Sequence, residues 1–208
     1  VTALLVAFAV VAALNWWSRW TGNDRLELVT KPLATVLVIG VALTAGGEPL
    51  PTALAVAALV LCLVGDVALL PAVDRFIVGL GAFLLGHLVF VPMLIVLGLD
   101  RPDLAVVALA WLVPVDVFAG WRIVVAAGRA DPGLRVPVAA YLAVISTMAL
   151  VAWATGIGVA LVGATSFVAS DSILGWRRFV ERRRWMAPAI MATYHLALVG
   201  LTMSLAAG

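Results

Sequence analysis

Charge is scarce in this chain. Only 12% of its 208 residues are Asp, Glu, Lys or Arg, about half the share of an ordinary soluble domain. Cys62 is the one cysteine, so no intramolecular disulfide can form, and its surroundings read as those of a small core residue. Two histidines are present, whereas a catalytic zinc site ordinarily takes three protein ligands, often histidines; no metal or cofactor is expected. No GxSxG elbow occurs, so a serine-hydrolase route has no support. The basic residues are spread along several loops instead of gathered in one stripe, which argues against nucleic-acid binding. Lys31 is the one lysine beside twelve arginines, a bias that reads as a bacterial genome rich in G and C.

What the chain has in plenty is apolar sequence. It is 65% hydrophobic, with a mean hydropathy of +1.19. Those values point to an all-α, polytopic membrane bundle in one transmembrane domain over 1–208. Eight runs approach the roughly 20 residues that a helix needs to cross a bilayer: about 2–17, 31–46, 52–70, 76–98, 104–127, 134–154, 157–174 and 186–206. Turn chemistry separates them at "TGND", "GGEP", "PAVD", "LDRPD" and "RADPG". The sixth and seventh runs are divided only by "TGIG"; about 40 apolar residues there is length enough for two crossings. No basic residue precedes the first run, which therefore reads as a span and not as a cleavable leader.

The loops orient the bundle. The first, third, fifth and seventh carry twelve of the basic residues, counting Lys31, and the opposite side carries only Arg101. By the positive-inside rule both termini face away from the cytoplasm, as expected of a protein of a bacterial inner membrane. Trp16, Trp17, Trp20, Trp176 and Trp185 fall where an aromatic belt would lie. Small residues recur at four-residue spacing, as in Ala82 with Gly86 and Ala160 with Ala164, and suit close helix packing.

Ionisable groups inside a membrane are functional candidates by default. Asp66 in "CLVGDVALLP" and Asp171 in "GATSFVASDSILGW" lie roughly 5–6 Å from the basic ends of their spans, counted at the helical rise. Tyr141 and Tyr194 lie roughly 10–12 Å from the same face, and His87 roughly 16 Å. Lys31 opens the second span at the face itself, with Pro32 in its first turn. Six polar positions from six helices thus converge in one half of the bundle, as a wet cleft would require. Each also has a plainer role: anchoring for Lys31, capping or snorkelling for the aspartates, packing for the tyrosines and His87. His195 adjoins Tyr194, so it points elsewhere and reads as packing. Asp116 either pairs with Arg122 or joins the cleft.

In order and type these segments resemble the YhhN-like lysoplasmalogenases, eight-span membrane hydrolases. The resemblance rests on "KPLAT" (Lys31–Thr35), "GDVALL" (Gly65–Leu70), "FIVGLGAFLLGH" (Phe76–His87), "PVAAY" (Pro137–Tyr141), "GATSFVASDSIL" (Gly163–Leu174) and the tyrosine of the last span, Tyr194. It implies cleavage of the vinyl ether bond of a lysoplasmalogen to a fatty aldehyde and a glycerophospho-alcohol. The residues suit that chemistry. A vinyl ether hydrolyses through protonation on carbon and capture of an oxocarbenium ion by water. Two carboxylates in unlike environments supply the proton, the opposing charge and the activated water, as in glycosidases. Asp66 and Asp171 are the expected catalytic pair. Lys31 would hold the lipid phosphate, and His87, Tyr141 and Tyr194 would orient the pair or the water. The expected partners are a lysophospholipid substrate and the surrounding lipids. The competing class is a small-solute or proton-coupled transporter, but such proteins commonly show internal repeats and midplane charges, and no repeat is visible here.

Overall fold

The computed structural model describes residues 1–207. In chain order it comprises α1 (Thr2–Thr21), α2 (Asp24–Thr44), α3 (Pro49–Ala68), α4 (Phe76–Val96), α5 (Pro102–Val115), a π turn (Asp116–Gly120) and α6 (Trp121–Ala130). A short 3-10 turn (Pro132–Leu134) leads to α7 (Arg135–Thr155), α8 (Gly158–Phe179), α9 (Met186–Met203) and a closing 3-10 turn (Ser204–Ala206). Among the described residues there is no strand. Eight segments are long and apolar enough to cross a membrane; the fifth, Pro102–Ala130, joins α5, the π turn and α6. The chain is a multi-pass membrane protein made of helices.

Its surface is inverted relative to a soluble protein. Leu43, Val106, Phe118 and Val136 are exposed on the outside, whereas Asn15, Glu27, Lys31, Thr35, Asp66 and His87 are buried. With lipid as the outer solvent, polar groups lower their free energy by turning inward to one another. The last span is 61% buried and the fifth only 17%, so α9 is central and α5 peripheral. α9 packs on α8, α1 and α2; α3 pairs with α4, α4 with α7, and α5 leans on α7.

The α8–α9 contact depends on Gly163 and Gly200. A Cβ on Gly163 would lie 2.7 Å from the backbone nitrogen of Leu201, and one on Gly200 would lie 2.7 Å from the Cα of Gly163. No side chain fits between the two backbones, which is how small residues bring helices together where the hydrophobic effect gives no drive.

Most expected spans hold to within a few residues, and the narrow "TGIG" break is real: α7 ends at Thr155, and Gly156 takes a left-handed φ of 74° before α8 starts. The second span differs. It begins at Asp24, not at Lys31, because Asn23 caps it by accepting from the backbone N–H of Leu26 at 3.1 Å. Pro32 is accordingly inside the helix, where its missing N–H leaves the Leu28 carbonyl without its usual donor. The seventh span runs on to Phe179 and carries Arg177 and Arg178 in its last turn.

Asp116 takes neither expected role. It opens the π turn that follows Pro114 and accepts from the Ser146 hydroxyl at 2.8 Å, tying the fifth span to α7. A proline followed by a π turn is a recognised way for a helix to absorb a lost hydrogen bond.

Candidate active site

The site is built on one line of α2. Glu27, Lys31 and Thr35 are four residues apart and so share a face, and all three are buried. Charges this far inside apolar surroundings need partners, and each has one. Arg19, from the last turn of α1, donates to Glu27. Lys31 Nζ lies 3.7 Å from Oδ1 of Asp66, in the last turn of α3. The other oxygen of Asp66 accepts from Thr35 Oγ1 at 2.5 Å and from the Tyr194 hydroxyl at 2.8 Å. Lys31, Thr35, Asp66 and Tyr194 thus form one buried network across α2, α3 and α9.

Tyr194 is held by the edges of two phenylalanines, Phe83 and Phe167, at centroid separations of 5.8 and 5.6 Å. Such edge-to-face contacts fix a ring without occupying its hydroxyl. The second carboxylate has a different setting. Asp171, on α8, accepts a hydrogen bond from the hydroxyl of Tyr141, on α7, and no cation pairs with it among the described residues. Behind Tyr141 stands His87, fully buried, with its ring 5.4 Å from that of Tyr141 and 4.4 Å from that of Phe167. Neither ring nitrogen of His87 has a hydrogen-bond partner.

Three cavities share walls here. The inner one, about 110 Å³, is lined by Lys31, Asp66, Asp171 and Tyr194 together with Arg19, Glu27 and Arg177. It has room for several waters. It adjoins a wide funnel of about 760 Å³ at the arginine-rich end of the bundle, and Arg19, Leu69, Leu174, Arg177 and Ala187 belong to both. The inner cavity also shares Leu69, Phe83, Asp171 and Leu174 with an apolar slot of about 40 Å³ among Phe76, Leu80, Ile123, Val138, Leu142 and Phe179. Asp171 faces both the inner cavity and the slot. Among the described residues no three His, Cys, Asp or Glu side chains converge as a metal-ligand set.

Of the residues singled out from the sequence, Lys31, Asp66, Asp171 and Tyr194 share the inner cavity, and Tyr141 bonds to Asp171 at the edge of the slot. Lys31 does not open the second span. It is buried in the third turn of α2, because that helix starts at Asp24. His87 lines none of the three cavities; it packs behind Tyr141. His195 points away from the site, as expected from its place beside Tyr194, and its Nδ1 accepts from the indole N–H of Trp16 at 2.9 Å. Thr35, Glu27, Arg19 and Arg177 are site residues that sequence reasoning missed. Thr35 and Glu27 were findable, since both lie four residues from Lys31 on the same helix.

A family model described as the YhhN family matches residues 26–205. No curated protein and no solved structure matches the chain.

Proposed function

We propose, for a chain that belongs to the YhhN family, that Asp66 and Asp171 hydrolyse the vinyl ether bond of a lysophospholipid. The products are a fatty aldehyde and a glycerophospho-alcohol. One observation carries the reading: two carboxylates face one small polar cavity with unlike partners, Asp66 with a cation and two hydroxyl donors, Asp171 with a single phenol. Environments that separate two carboxyl groups in this way divide acid from base.

In this reading Asp66 is the standing anion, since Lys31 balances its charge and Thr35 and Tyr194 donate to it. Asp171 carries the proton. With one oxygen taken by Tyr141, the other delivers the proton to the β-carbon of the vinyl ether. Positive charge develops on the α-carbon and the ether oxygen, where Asp66 opposes it. A water in the cavity adds to the α-carbon and loses a proton to a carboxylate. The resulting hemiacetal collapses to the aldehyde and the alcohol. Water is the only co-reactant, so no cofactor or metal is called for. His87 acts at one remove, by fixing the ring of Tyr141.

The funnel opens at the arginine-rich end, which the positive-inside rule assigns to the cytoplasm. The substrate would then enter from the cytoplasmic leaflet of a bacterial inner membrane. The direct test is aldehyde release by the purified protein from a vinyl ether lysophospholipid and from its ester counterpart. Turnover of the vinyl ether, with the ester inert, is the expected result; an ester preference or no turnover of either would sink the proposal.

A further inference from the structure

Five arginines line the funnel, and three of them have evident partners there. Arg19 is paired with Glu27. Arg178 lies 3.7 Å from Asp74 and over the ring of Phe76. Arg184 lies over the ring of Trp20 and donates to its carbonyl. Arg177 and Arg182 have no carboxylate partner among the described residues. Of these two, only Arg177 also lines the inner cavity. Its Nε is buried without a hydrogen-bond partner, and a buried donor of this kind ordinarily finds an acceptor.

The charges in the inner cavity point the same way. Its lining has three basic groups, Arg19, Lys31 and Arg177, and three acidic ones, Glu27, Asp66 and Asp171. Arg19 is matched to Glu27 and Lys31 to Asp66. Arg177 has only Asp171 left to balance it, and in the hydrolase reading Asp171 enters the reaction protonated. One anion is then wanting beside Arg177, and a phosphodiester carries one negative charge.

We propose that Arg177 binds the phosphate of a lysophospholipid at the neck between funnel and inner cavity, with Lys31 left to Asp66 and the first carbons of the hydrocarbon chain against the apolar slot that Asp171 also lines. The proposal rests on the hydrolase reading for the protonation of Asp171, and on the cavities and ion pairs for the rest. The spacing is suitable. Arg177 follows Asp171 by six residues on α8, about 9 Å along the helix. Five bonds separate the phosphorus from the ether oxygen of a lysoglycerophospholipid, about 6 Å when extended at ordinary bond lengths. The arginine side chain spans the remainder. Planar guanidinium groups suit phosphate because two N–H groups reach two oxygens at once.

The test is binding of two saturated ether lipids to the full chain in detergent. One is a 1-alkyl-glycerophosphoethanolamine and the other the matching 1-alkylglycerol, which lacks phosphate. Neither has a vinyl bond, so binding is read apart from turnover. Arg177→Gln should weaken the phospholipid by about tenfold or more, the scale of a lost charge-assisted bond, and leave the alkylglycerol unchanged. Arg177→Lys should fall between, and it stands in if the glutamine variant melts early. Arg183→Gln, at an exposed arginine paired with Glu181 outside all three cavities, is the control. Equal weakening of both lipids, or none of either, overturns the proposal. So does binding of inorganic phosphate that depends on Arg177 while the phospholipid does not. If the lipids bind as expected but the wild type releases no aldehyde, the hydrolase reading fails and the phosphate site stands. If aldehyde is released with KM unaltered in Arg177→Gln, the site fails and the hydrolase reading stands.

Discussion

The hydroxyls of Thr35 and Tyr194 converge on the same oxygen of Asp66, 2.5 and 2.8 Å away, while Lys31 approaches the other oxygen at 3.7 Å. Two hydroxyl donors on one oxygen and a cation beside the other fix this carboxylate in orientation. Asp171, with its single phenol donor, has an oxygen to spare. In the proposed reaction the pair would divide its work by surroundings and not by residue type.

Asp66→Asn and Asp171→Asn keep side-chain size but can neither carry charge nor give an acidic proton. Asp171→Asn should insert and melt normally, whereas Asp66→Asn should melt lower because Lys31 is left buried without its anion. Each should release aldehyde roughly 10²-fold more slowly, the scale of general acid–base catalysis. The double variant should be little worse than either single one, because groups acting as a unit are not additive. Near-normal turnover by either well-folded single variant would make that aspartate a structural charge.

Lys31→Met should act first on stability. It leaves Asp66 buried without its cation, a change that costs about 3–5 kcal/mol when a buried pair is broken, and the melting temperature should fall accordingly. Adding Asp66→Asn should recover most of that loss without restoring activity. A melting temperature unmoved by Lys31→Met would show that the 3.7 Å approach contributes little.

Tyr141→Phe removes the donor to Asp171 but keeps the ring that packs on His87. A fall in kcat of about tenfold or more is expected, as for a hydrogen bond to the negative charge that develops on Asp171 when it gives up its proton, with KM little changed. His87→Phe preserves an aromatic edge against Tyr141 and Phe167, and since His87 lines no cavity its KM should match the wild type. A raised KM in His87→Phe would place the histidine in contact with substrate after all.

Orientation can be read by thiol labelling. With Cys62 replaced by alanine, a cysteine at Glu181, in the "RRFVERRR" loop, should resist impermeant reagents in intact cells, whereas one at Glu48 should react. The opposite pattern would turn the funnel to the other side of the membrane.

The aspartates were legible because a charge within an apolar run is conspicuous and its depth follows from the helical rise. Facing direction was not legible in the same way. α4 is apolar nearly all round, since one side meets lipid and the other the bundle core, so hydropathy gave no face to His87. Its place behind Tyr141 comes from how α4 packs on α7. Glu27 and Arg19 were hidden for another reason. Charges near the end of a span read as loop until their mutual pairing is seen, and α2 begins seven residues before Lys31 with Glu27 in its first turn. Arg177 likewise sits in a cluster whose count suggested only orientation.

The family match begins at residue 26, after α1 has ended at Thr21. Yet α1 is joined to the matched part by side chains that have no substitute there. Arg19 donates to Glu27, Trp16 donates to His195, and Asn15 donates to Thr30 at 3.0 Å. A chain cut in the "TGND" turn would therefore not yield a smaller version of the same protein. It would leave a seven-span remainder with an unanswered glutamate at the wall of its inner cavity. The two pieces, made separately, should recover activity only by finding each other again in the bilayer.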